Sequence, residues 1–470
     1  MNLSSLVAGQ PVASNGTLRI RNPYHGNEVG TVVLATQADV EAAVAAARAF
    51  DATPSRYQRS KILDLAQAAL TARHEEFAHL ITSETGLALC EARYEVGRTL
   101  DVLRFAALEA LRDDGQIFSA DVSPQGKARK IFTVREPLRC AAAITPFNHP
   151  LNQVAHKVAP ALAAGTPLVL KPSEKTPLTA LKFAELLYAA GLPGPMLSVL
   201  LGLTREVAGP LTRHEDVEVL AFTGSVAVGK QVAATAGYKR LVLELGGNDP
   251  LIVLNDADLE LAVTLAAEGS FRNSGQRCTA VKRILVEDGI AAEFTARLAA
   301  KAKEYVCGDP FDEATRIGTV IDEAAAAYLE TVLEEAVVMG AKVLLGGERH
   351  GALFPPTVIA NVPRDCRMVV CESFGPLAPI LTVRDLDDAL AVANSTAYGL
   401  SSGVVTTNLA SALKAIKTLR CGTVNINEVP GFRTECSPFG GLKDSGLGVK
   451  EGVVEAIKAY SFVKTFSLPW

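Results

Sequence analysis

From Arg139 onward, short apolar runs alternate with longer amphipathic stretches of helical period. The first part of this alternation reaches Gly247 and comprises RCAAAITPF, PLNQVAHKVAPALAAG, PLVLKPS, PLTALKFAELLYAAG, LSVLLG, VEVLAFTG, SVAVGKQVAATAG and LVLELGG. This pattern predicts parallel βαβ units, because parallel strands need a crossover connection that is usually helical. Parallel sheets bind ligands beyond the carboxyl ends of their strands, so site residues are expected in the turns that follow them.

A second alternating stretch runs from about Pro250 to Thr434 and predicts a second α/β domain. Its predicted strands are RILVED, PPTVIANV, PLAPILTV, GLSSGVVT and GTVNIN. The segment 126–136 and the C-terminal KAYSFVKTFSLPW are isolated and β-rich, which favours an oligomerisation hairpin and its partner strand.

The region 39–111 is predicted to be helical. DVEAAVAAARAF follows a capping Asp39, and SKILDLAQAALTARHEEFAHLITSETG is predicted as one amphipathic run that stops at Gly86.

Charge and cysteine usage exclude several function classes. The 46 basic and 51 acidic residues give a net charge of −5 without a basic block, so nucleic acid is not an expected partner. The 8 cysteines form no C-x-x-C pair or zinc-like spacing, so we expect no metal and a reducing, cytoplasmic setting. No uncharged apolar run reaches the ~18 residues that a membrane span needs.

Three side chains could carry covalent chemistry. Cys278 lies in NSGQRCTA after Arg277, a cation that is expected to lower the thiol pKa and favour the nucleophilic thiolate. Glu244 ends an apolar strand in LVLELGG, where poor solvation would raise its pKa and suit it to activate water. Asn148 in ITPFNHP could donate its amide to an oxyanion, although a turn residue is the alternative interpretation.

Two further turns could hold a dinucleotide. FTGSVAVG places Gly224 and Ser225 at a helix start, with Gly229 one turn later, where backbone N–H groups bind pyrophosphate. The run lacks G-x-G-x-x-G spacing, so an ordinary helix-entry glycine is the alternative. Lys171 and Glu174 in LKPSEKTP could bind ribose hydroxyls, and the carboxylate would repel a 2′-phosphate; solvated charges are the alternative.

In this order, TPFN, KPSEKTP, FTGS, ELGGNDP, GQRC and ESFGP resemble the signature blocks of the aldehyde dehydrogenase superfamily. The resemblance covers nearly the whole chain. It implies an α/β fold with a Rossmann-type NAD-binding domain, a second α/β catalytic domain and a small β oligomerisation arm. We expect residues 1–117 and 138–246 to form the NAD-binding domain and residues 247–440 to form the catalytic domain. Residues 118–137 and 441–470 would form the oligomerisation segments. A homodimer or homotetramer is implied as well.

The resemblance also implies a role for each site residue. Cys278 would attack the aldehyde, Asn148 and the Cys278 N–H would hold the oxyanion, and Glu244 would activate the water that hydrolyses the thioester. NAD would be the cofactor, with water rather than coenzyme A as acyl acceptor. The residues expected to contact NAD are Pro146, Phe147, Lys171, Glu174, Gly224, Ser225, Gly229, Leu245, Gly246, Glu372 and Phe374. Ser373 departs from the usual EIFGP block and should not disturb its neighbours.

Cations around the nucleophile suggest an anionic substrate. Arg277, His149 and Arg98 would face the substrate funnel if the family geometry holds, with Arg433 as a fourth contact and Thr279 beside the nucleophile. Arginine suits phosphate-like oxygens, whereas surface or interdomain salt bridges are the alternative interpretation.

GRTLDVLRFA, PFNHPLN, GQRCTAVKRIL and SPFGGLKDSGLG are similar to the phosphonoacetaldehyde dehydrogenases in particular, which implies oxidation of phosphonoacetaldehyde to phosphonoacetate. Phosphonoformaldehyde, sulfoacetaldehyde and carboxylate semialdehydes stay open. So does a broad-range or lactaldehyde dehydrogenase in which the cations are incidental. A catalytically dead binding protein is disfavoured because Cys278, Glu244 and Asn148 are all present.

Overall fold

A computed structural model of the chain describes residues 1–13 and 15–470. In these residues the strands are β1 (Asn2–Ser4), β2 (Leu6–Val7), β3 (Gln10–Pro11), β4 (Thr17–Arg21), β5 (Glu28–Val33), β6 (Ile117–Ser119), β7 (Arg129–Pro137), β8 (Ala141–Ile144), β9 (Leu168–Lys171), β10 (Leu197–Val199), β11 (Val219–Thr223), β12 (Arg240–Glu244), β13 (Asp249–Val253), β14 (Val281–Glu287), β15 (Lys342–Leu345), β16 (Thr357–Ala360), β17 (Leu377–Val383), β18 (Ser401–Val405), β19 (Thr423–Ile426) and β20 (Ser461–Pro469).

The α-helices are α1 (Gln37–Ala49), α2 (Arg56–Ala72), α3 (His74–Thr85), α4 (Leu89–Ala110), α5 (Asn152–Ala164), α6 (Pro177–Ala189), α7 (Gly209–Arg213), α8 (Val226–Thr235), α9 (Leu259–Phe271), α10 (Asp288–Ala302), α11 (Glu323–Val338), α12 (Arg367–Val370), α13 (Leu386–Asn394), α14 (Leu409–Thr418) and α15 (Val453–Ala459). No helix of the described residues is both long and apolar enough to cross a membrane.

The first large sheet has the strand order β12-β11-β8-β9-β10-β2-β3, and its strands β8 to β12 are parallel. Helices α5, α6 and α8 make the crossovers that the sequence predicted. The register pairs Ile144 with Lys171 and Thr223 with Glu244. The carboxyl ends of these strands therefore lie along one edge, and the turns that follow them carry the predicted site residues.

Both faces of this sheet are buried, which explains why its strands are continuously apolar. Successive residues of β8 pack into different cores: Ala141 and Ala143 face one, and Ala142 and Ile144 face the other. The alternation follows from the two-residue period of a strand.

The second large sheet has the order β15-β16-β17-β14-β13-β18-β19, and β15 is its antiparallel strand. All of its strands lie between residues 249 and 426, inside the stretch predicted as a second α/β domain. Strands β13 and β15 were not singled out from the sequence.

A third sheet joins the two isolated β-rich segments. Strand β20 pairs antiparallel with β7 from Ser461 opposite Pro137 to Pro469 opposite Arg129, and β6 pairs with the other edge of β7. The predicted pairing is therefore confirmed, and the rings of Phe132 and Phe466 stack across it at 5.3 Å. The remaining small sheet has the order β1-β5-β4.

The helical region differs from prediction in two details. The cap of α1 is Thr36 and not Asp39; Asp39 is the third helical residue, and its side chain completes a capping box with Thr36. The helix predicted to run on to Gly86 is broken at Arg73 into α2 and α3. Its predicted end is confirmed, because Gly86 adopts a left-handed conformation with φ of 69°.

Candidate active site

A cavity of about 230 Å³ lies at the carboxyl edge of the first sheet, where residues of both large sheets meet. The predicted site residues in its walls are Pro146, Phe147, Asn148, Gly224, Ser225, Glu244, Leu245, Gly246, Cys278, Glu372 and Phe374. Gln153 and Thr223 also line it and were not predicted. The nucleophile candidate, the base candidate and the oxyanion candidate therefore share one cavity with most of the expected cofactor contacts.

A strained turn places Cys278 between α9 and β14. Asn273, Ser274 and Gly275 are consecutive left-handed residues with φ of 58°, 51° and 68°. A Cβ atom on Gly275 would lie 2.1 Å from the main-chain oxygen of Gly375, so only glycine fits there. Left-handed non-glycine residues persist only where their surroundings enforce them, and they cluster at functional sites.

Asn148 is tied to the turn that carries Cys278. Its Nδ2 donates to the main-chain oxygen of Gln276 at 2.8 Å, and its own main-chain oxygen accepts from Nδ2 of Asn273 at 3.1 Å. A primary amide has two N–H donors, so one remains for a substrate oxygen. The geometry can supply an oxyanion hole once an aldehyde is bound.

The expected activation of Cys278 by Arg277 is wrong. Burial raises the pKa of the Cys278 thiol to about 11, and the charges of Lys282 and Arg433 only partly oppose that rise. The NH2 group of Arg277 donates to the main-chain oxygens of Glu268 and Gly269 at the end of α9.

Lys282 was missed by the sequence analysis and lies directly behind the nucleophile. Its buried ammonium donates to the main-chain oxygens of Arg277 at 2.9 Å and Cys278 at 2.6 Å. The same nitrogen lies 3.0 Å from Oε1 of Glu372. A lysine in the apolar strand VKRILVE was the available signal, because a charge is buried only with partners.

Glu244 lies at the end of β12 with both carboxyl oxygens buried and without a hydrogen-bond partner among the described residues. Burial, followed by the nearby charge of Glu451, raises the pKa of Glu244 well above its usual value, as the sequence analysis expected. Glu451 itself pairs with the buried ammonium of Lys157. A Cβ atom on Gly440 would lie 2.5 Å from Oε1 of Glu244, so main chain closes this side of the carboxyl.

The cofactor side of the cavity fits a dinucleotide. Ser225 lies in the cavity wall and caps α8 by accepting from the N–H of Val228 at 3.4 Å, so the start of this helix lies at the cavity edge. A Cβ atom on Gly246 would lie 2.1 Å from Oε2 of Glu372, so the glycine allows the close approach. The rings of Phe147 and Phe374 meet edge to face at 5.9 Å and form an apolar wall.

Three predicted cofactor residues lie outside this cavity. Lys171 ends β9 and pairs with Glu174 at 2.5 Å, and the Glu174 side chain is 41% exposed and accessible to a ribose. Gly229 lies within α8, where a Cβ atom would be 2.3 Å from Cδ2 of Leu245. Its structural role is close helix packing.

Two of the predicted substrate cations, Arg98 and Arg433, lie close to a carboxylate that the sequence analysis missed. Glu435 is 5% exposed, accepts from Nε of Arg98 at 2.6 Å and lies 2.6 Å from Nε2 of His156. Burial opposes its ionisation, but the hydrogen bond from His156 and the charges of Arg98 and Arg433 hold the pKa of Glu435 well below its usual value. Arg433 stacks on the ring of Phe439 at 3.9 Å.

His149, Arg277 and Thr279 occupy separate positions around the nucleophile. Nδ1 of His149 lies 3.6 Å from Oε2 of Glu95, whose other oxygen accepts from two backbone N–H groups at the start of α5. Nε of Arg277 is buried without a partner. A Cβ atom on Gly431 would lie 2.4 Å from Oγ1 of Thr279, so Thr279 packs against the loop that carries Arg433.

The described residues contain no cluster of three or more His, Cys, Asp or Glu side chains that could hold a metal ion. All 8 cysteines are free.

Comparison with known proteins finds a match over residues 11–466 to the model of the aldehyde dehydrogenase family. The chain is 41% identical to 3-sulfolactaldehyde dehydrogenase of Priestia aryabhattai, with 94% of this chain and 92% of that protein covered. It is 36% identical to sulfoacetaldehyde dehydrogenase of Neptuniibacter caesariensis, with 96% and 99% covered. NADP-dependent glyceraldehyde-3-phosphate dehydrogenase of Bacillus halodurans, solved with NADP, superposes with a TM-score of 0.96 at 33% identity over 100% of this chain and 99% of that chain.

Proposed function

The chain belongs to the aldehyde dehydrogenase family, and we propose that it uses NAD to oxidise a small aldehyde with an anionic head group. Our leading candidate is phosphonoacetaldehyde, which would yield phosphonoacetate. The observation that carries the proposal is the convergence of Cys278, Glu244 and Asn148 on one cavity, with Arg433 close enough to act on the charges of both Cys278 and Glu244.

Catalysis begins with Cys278, whose thiolate attacks the aldehyde carbon and forms a thiohemiacetal. The N–H of Asn148 that is not bonded to Gln276 stabilises the oxyanion, together with the main-chain N–H of Cys278. When bound, NAD supplies the two-electron oxidation that converts this adduct into a thioester. Glu244 then takes a proton from water, which attacks the thioester and releases the carboxylic acid.

The positions of Glu372 and Glu174 support the cofactor assignment. Glu372 lies in the cavity wall with Cys278, where its carboxylate can bind the ribose next to the nicotinamide. Glu174 would bind the adenosine ribose and repel the 2′-phosphate of NADP. The proposed preference for NAD over NADP therefore rests on Glu174.

The arginines favour an anionic head group. Arg433 makes no hydrogen bond to the described residues and stacks on Phe439, so its guanidinium is available to a ligand. Arg98 donates from Nε to Glu435, which leaves both of its NH2 groups to bind a ligand. Arg277 keeps a buried Nε without a partner. We propose these three, with His149 and Thr279, as the substrate contacts.

A sulfonated aldehyde is the second candidate, because two similar relatives are named for sulfolactaldehyde and sulfoacetaldehyde. Phosphonates and sulfonates share a tetrahedral, oxygen-rich head group that arginine binds well. The test is kcat/KM for phosphonoacetaldehyde, sulfoacetaldehyde and uncharged propanal with NAD. A preference for both anions supports the proposal, and equal values for all three would leave a broad-range or lactaldehyde dehydrogenase.

We further propose a homodimer or homotetramer that is assembled through the third sheet. Strand β20 exposes Phe462, Val463, Phe466 and Leu468 by 37%, 50%, 41% and 47%. Apolar strand faces of this kind are usually covered by another chain. In this proposal residues 1–117 and 138–246 bind the cofactor, 247–440 carry catalysis, and 118–137 with 441–470 make subunit contacts. The cytoplasmic location stays a prediction from the cysteine pattern.

A further inference from the structure

The loop of residues 431–440 brings opposite charges close to Cys278 and Glu244, where we propose that the anion binds. Arg433 and Glu435 are two residues apart, and Arg98 donates to Glu435 from helix α4. Nε2 of the buried His156 contacts the other oxygen of the same carboxylate. A site that only had to attract anions would gain from leaving both arginines unpaired, so the carboxylate needs an explanation.

The cations that act on the charge of Glu435 are first of all Arg98 and Arg433. Burial lowers the pKa of His156, which disfavours the charged imidazolium beside Glu435. Nδ1 of His149 faces Glu95, which makes a separate pair. Arg277 is close enough to the ion pair of Arg272 with Glu91, and to Cys278, for their charges to act on it.

The carboxylate of Glu435 therefore removes one unit from the positive charge that Arg98 and Arg433 present to a ligand. The nucleophile Cys278 and the base Glu244 also act on the charge of Arg433. In a poorly solvated pocket, each charge on a ligand that lacks an opposite charge nearby makes the free energy of binding less favourable.

We propose that Glu435 is a specificity-determining residue that restricts the anion site to singly charged head groups, so that phosphonoacetaldehyde is accepted as its monoanion. The inference rests on the proposed function, because it concerns the head group of the same substrate. A sulfonate carries one negative charge at all working pH values. A phosphonate gains its second charge near neutral pH, as a phosphate ester does, and the second charge would face Glu435 across the two arginines.

The test compares the two aldehydes in the same enzyme. The ratio of kcat/KM for phosphonoacetaldehyde to kcat/KM for sulfoacetaldehyde is measured between about pH 6 and pH 8.5, which spans the second phosphonate ionisation. Titration of Cys278 and Glu244 affects both substrates and cancels in the ratio. We expect the ratio to fall as pH rises, because the doubly charged phosphonate is rejected.

Glu435→Gln keeps the shape and an acceptor for Arg98 but removes the charge. This substitution should raise the kcat/KM ratio at the alkaline end of the range by about tenfold, so that the ratio falls less steeply with pH. A tenfold change corresponds to about 1.4 kcal/mol. Arg98→Gln should move the ratio the other way, and it decides the question if Glu435→Gln does not fold. Glu313→Gln, in an exposed pair with Arg93, is the matched control and should leave the ratio unchanged.

A Glu435→Gln ratio that follows the wild-type ratio at every pH would overturn the inference. So would a wild-type ratio that rises with pH. If the wild-type enzyme prefers neither anionic aldehyde over propanal, the proposed function fails instead, and that result is visible before any variant is made.

Discussion

The ammonium of Lys282 donates to the main-chain oxygen of Cys278 at 2.6 Å. The same group lies 3.0 Å from the carboxylate of Glu372. One buried cation therefore contacts both the backbone of the nucleophile and the carboxylate that we propose binds the ribose. Buried ion pairs leave a costly unpaired charge when one partner is removed. Lys282 therefore links the proposed cofactor contact of Glu372 to both the position and the pKa of the Cys278 thiol.

Lys282→Met should therefore impair both functions. Because Lys282 lowers a thiol pKa that burial has raised to about 11, its loss should move the alkaline rise of Cys278 alkylation by iodoacetamide to still higher pH. The KM for NAD should rise by about tenfold or more as Glu372 loses its partner. Lys282→Arg keeps the positive charge and should recover part of both the alkylation profile and the KM for NAD.

Lys301→Met, in an exposed pair with Glu304, is the matched control for the alkylation profile. Alkylation of the wild-type enzyme should still increase with pH above the ordinary thiol pKa of about 8.5, since deprotonation is the step that burial opposes. A plateau already below neutral pH would contradict this description of the site without cofactor.

Glu244→Gln should separate thioester formation from its hydrolysis. The first turnover should still release about one NADH per active site, whereas steady-state turnover should fall by about 100-fold or more because the water loses its base. Rapid-mixing measurement of NADH absorbance distinguishes the burst from the slow phase. Glu334→Gln, on an exposed part of α11, should show no such phase separation.

Arg433→Ala should lower kcat/KM for an anionic aldehyde by about 100-fold more than for propanal, because a charged hydrogen bond to the head group is lost. Arg277→Ala should act in the same direction with a smaller difference, because its NH2 group holds backbone oxygens. Arg205→Ala, at an exposed site, is the control. Proportional losses on both kinds of aldehyde would argue against substrate recognition by either arginine.

Glu174→Gln should weaken the preference for NAD. The neutral amide no longer repels a 2′-phosphate, and Lys171 is released from its ion pair to bind that phosphate. We expect the ratio of kcat/KM for NAD to that for NADP to fall by about tenfold. Glu185→Gln removes the same kind of i,i+3 lysine pair on α6 and should leave the ratio unchanged.

Local sequence patterns were sufficient to predict the sheets' core strands and the residues at their ends. The apolar runs in β8, β9 and β11 follow from burial on both faces, and the polar residues after them were expected at one edge. Strand β13 was missed because DPLIV follows ELGGN without a helical stretch between them. Strand β15 was missed because its residues are largely exposed.

The electrostatic partners of the site could not be predicted, because they are distant in sequence. Glu435 and Arg98 are separated by 337 residues, and no local pattern reveals that they meet. The same limit explains the error about Cys278: adjacency to Arg277 suggested a lowered pKa, but the arginine side chain turns to α9 and burial dominates.

The most direct test of the proposed activity is kcat/KM with NAD for phosphonoacetaldehyde and sulfoacetaldehyde beside propanal, measured from NADH appearance at matched pH. We predict that at least one anionic aldehyde is preferred by about 100-fold, equivalent to about 2.7 kcal/mol of transition-state binding. Equal values for the anionic and uncharged aldehydes would contradict an anion site built from Arg98, Arg277 and Arg433.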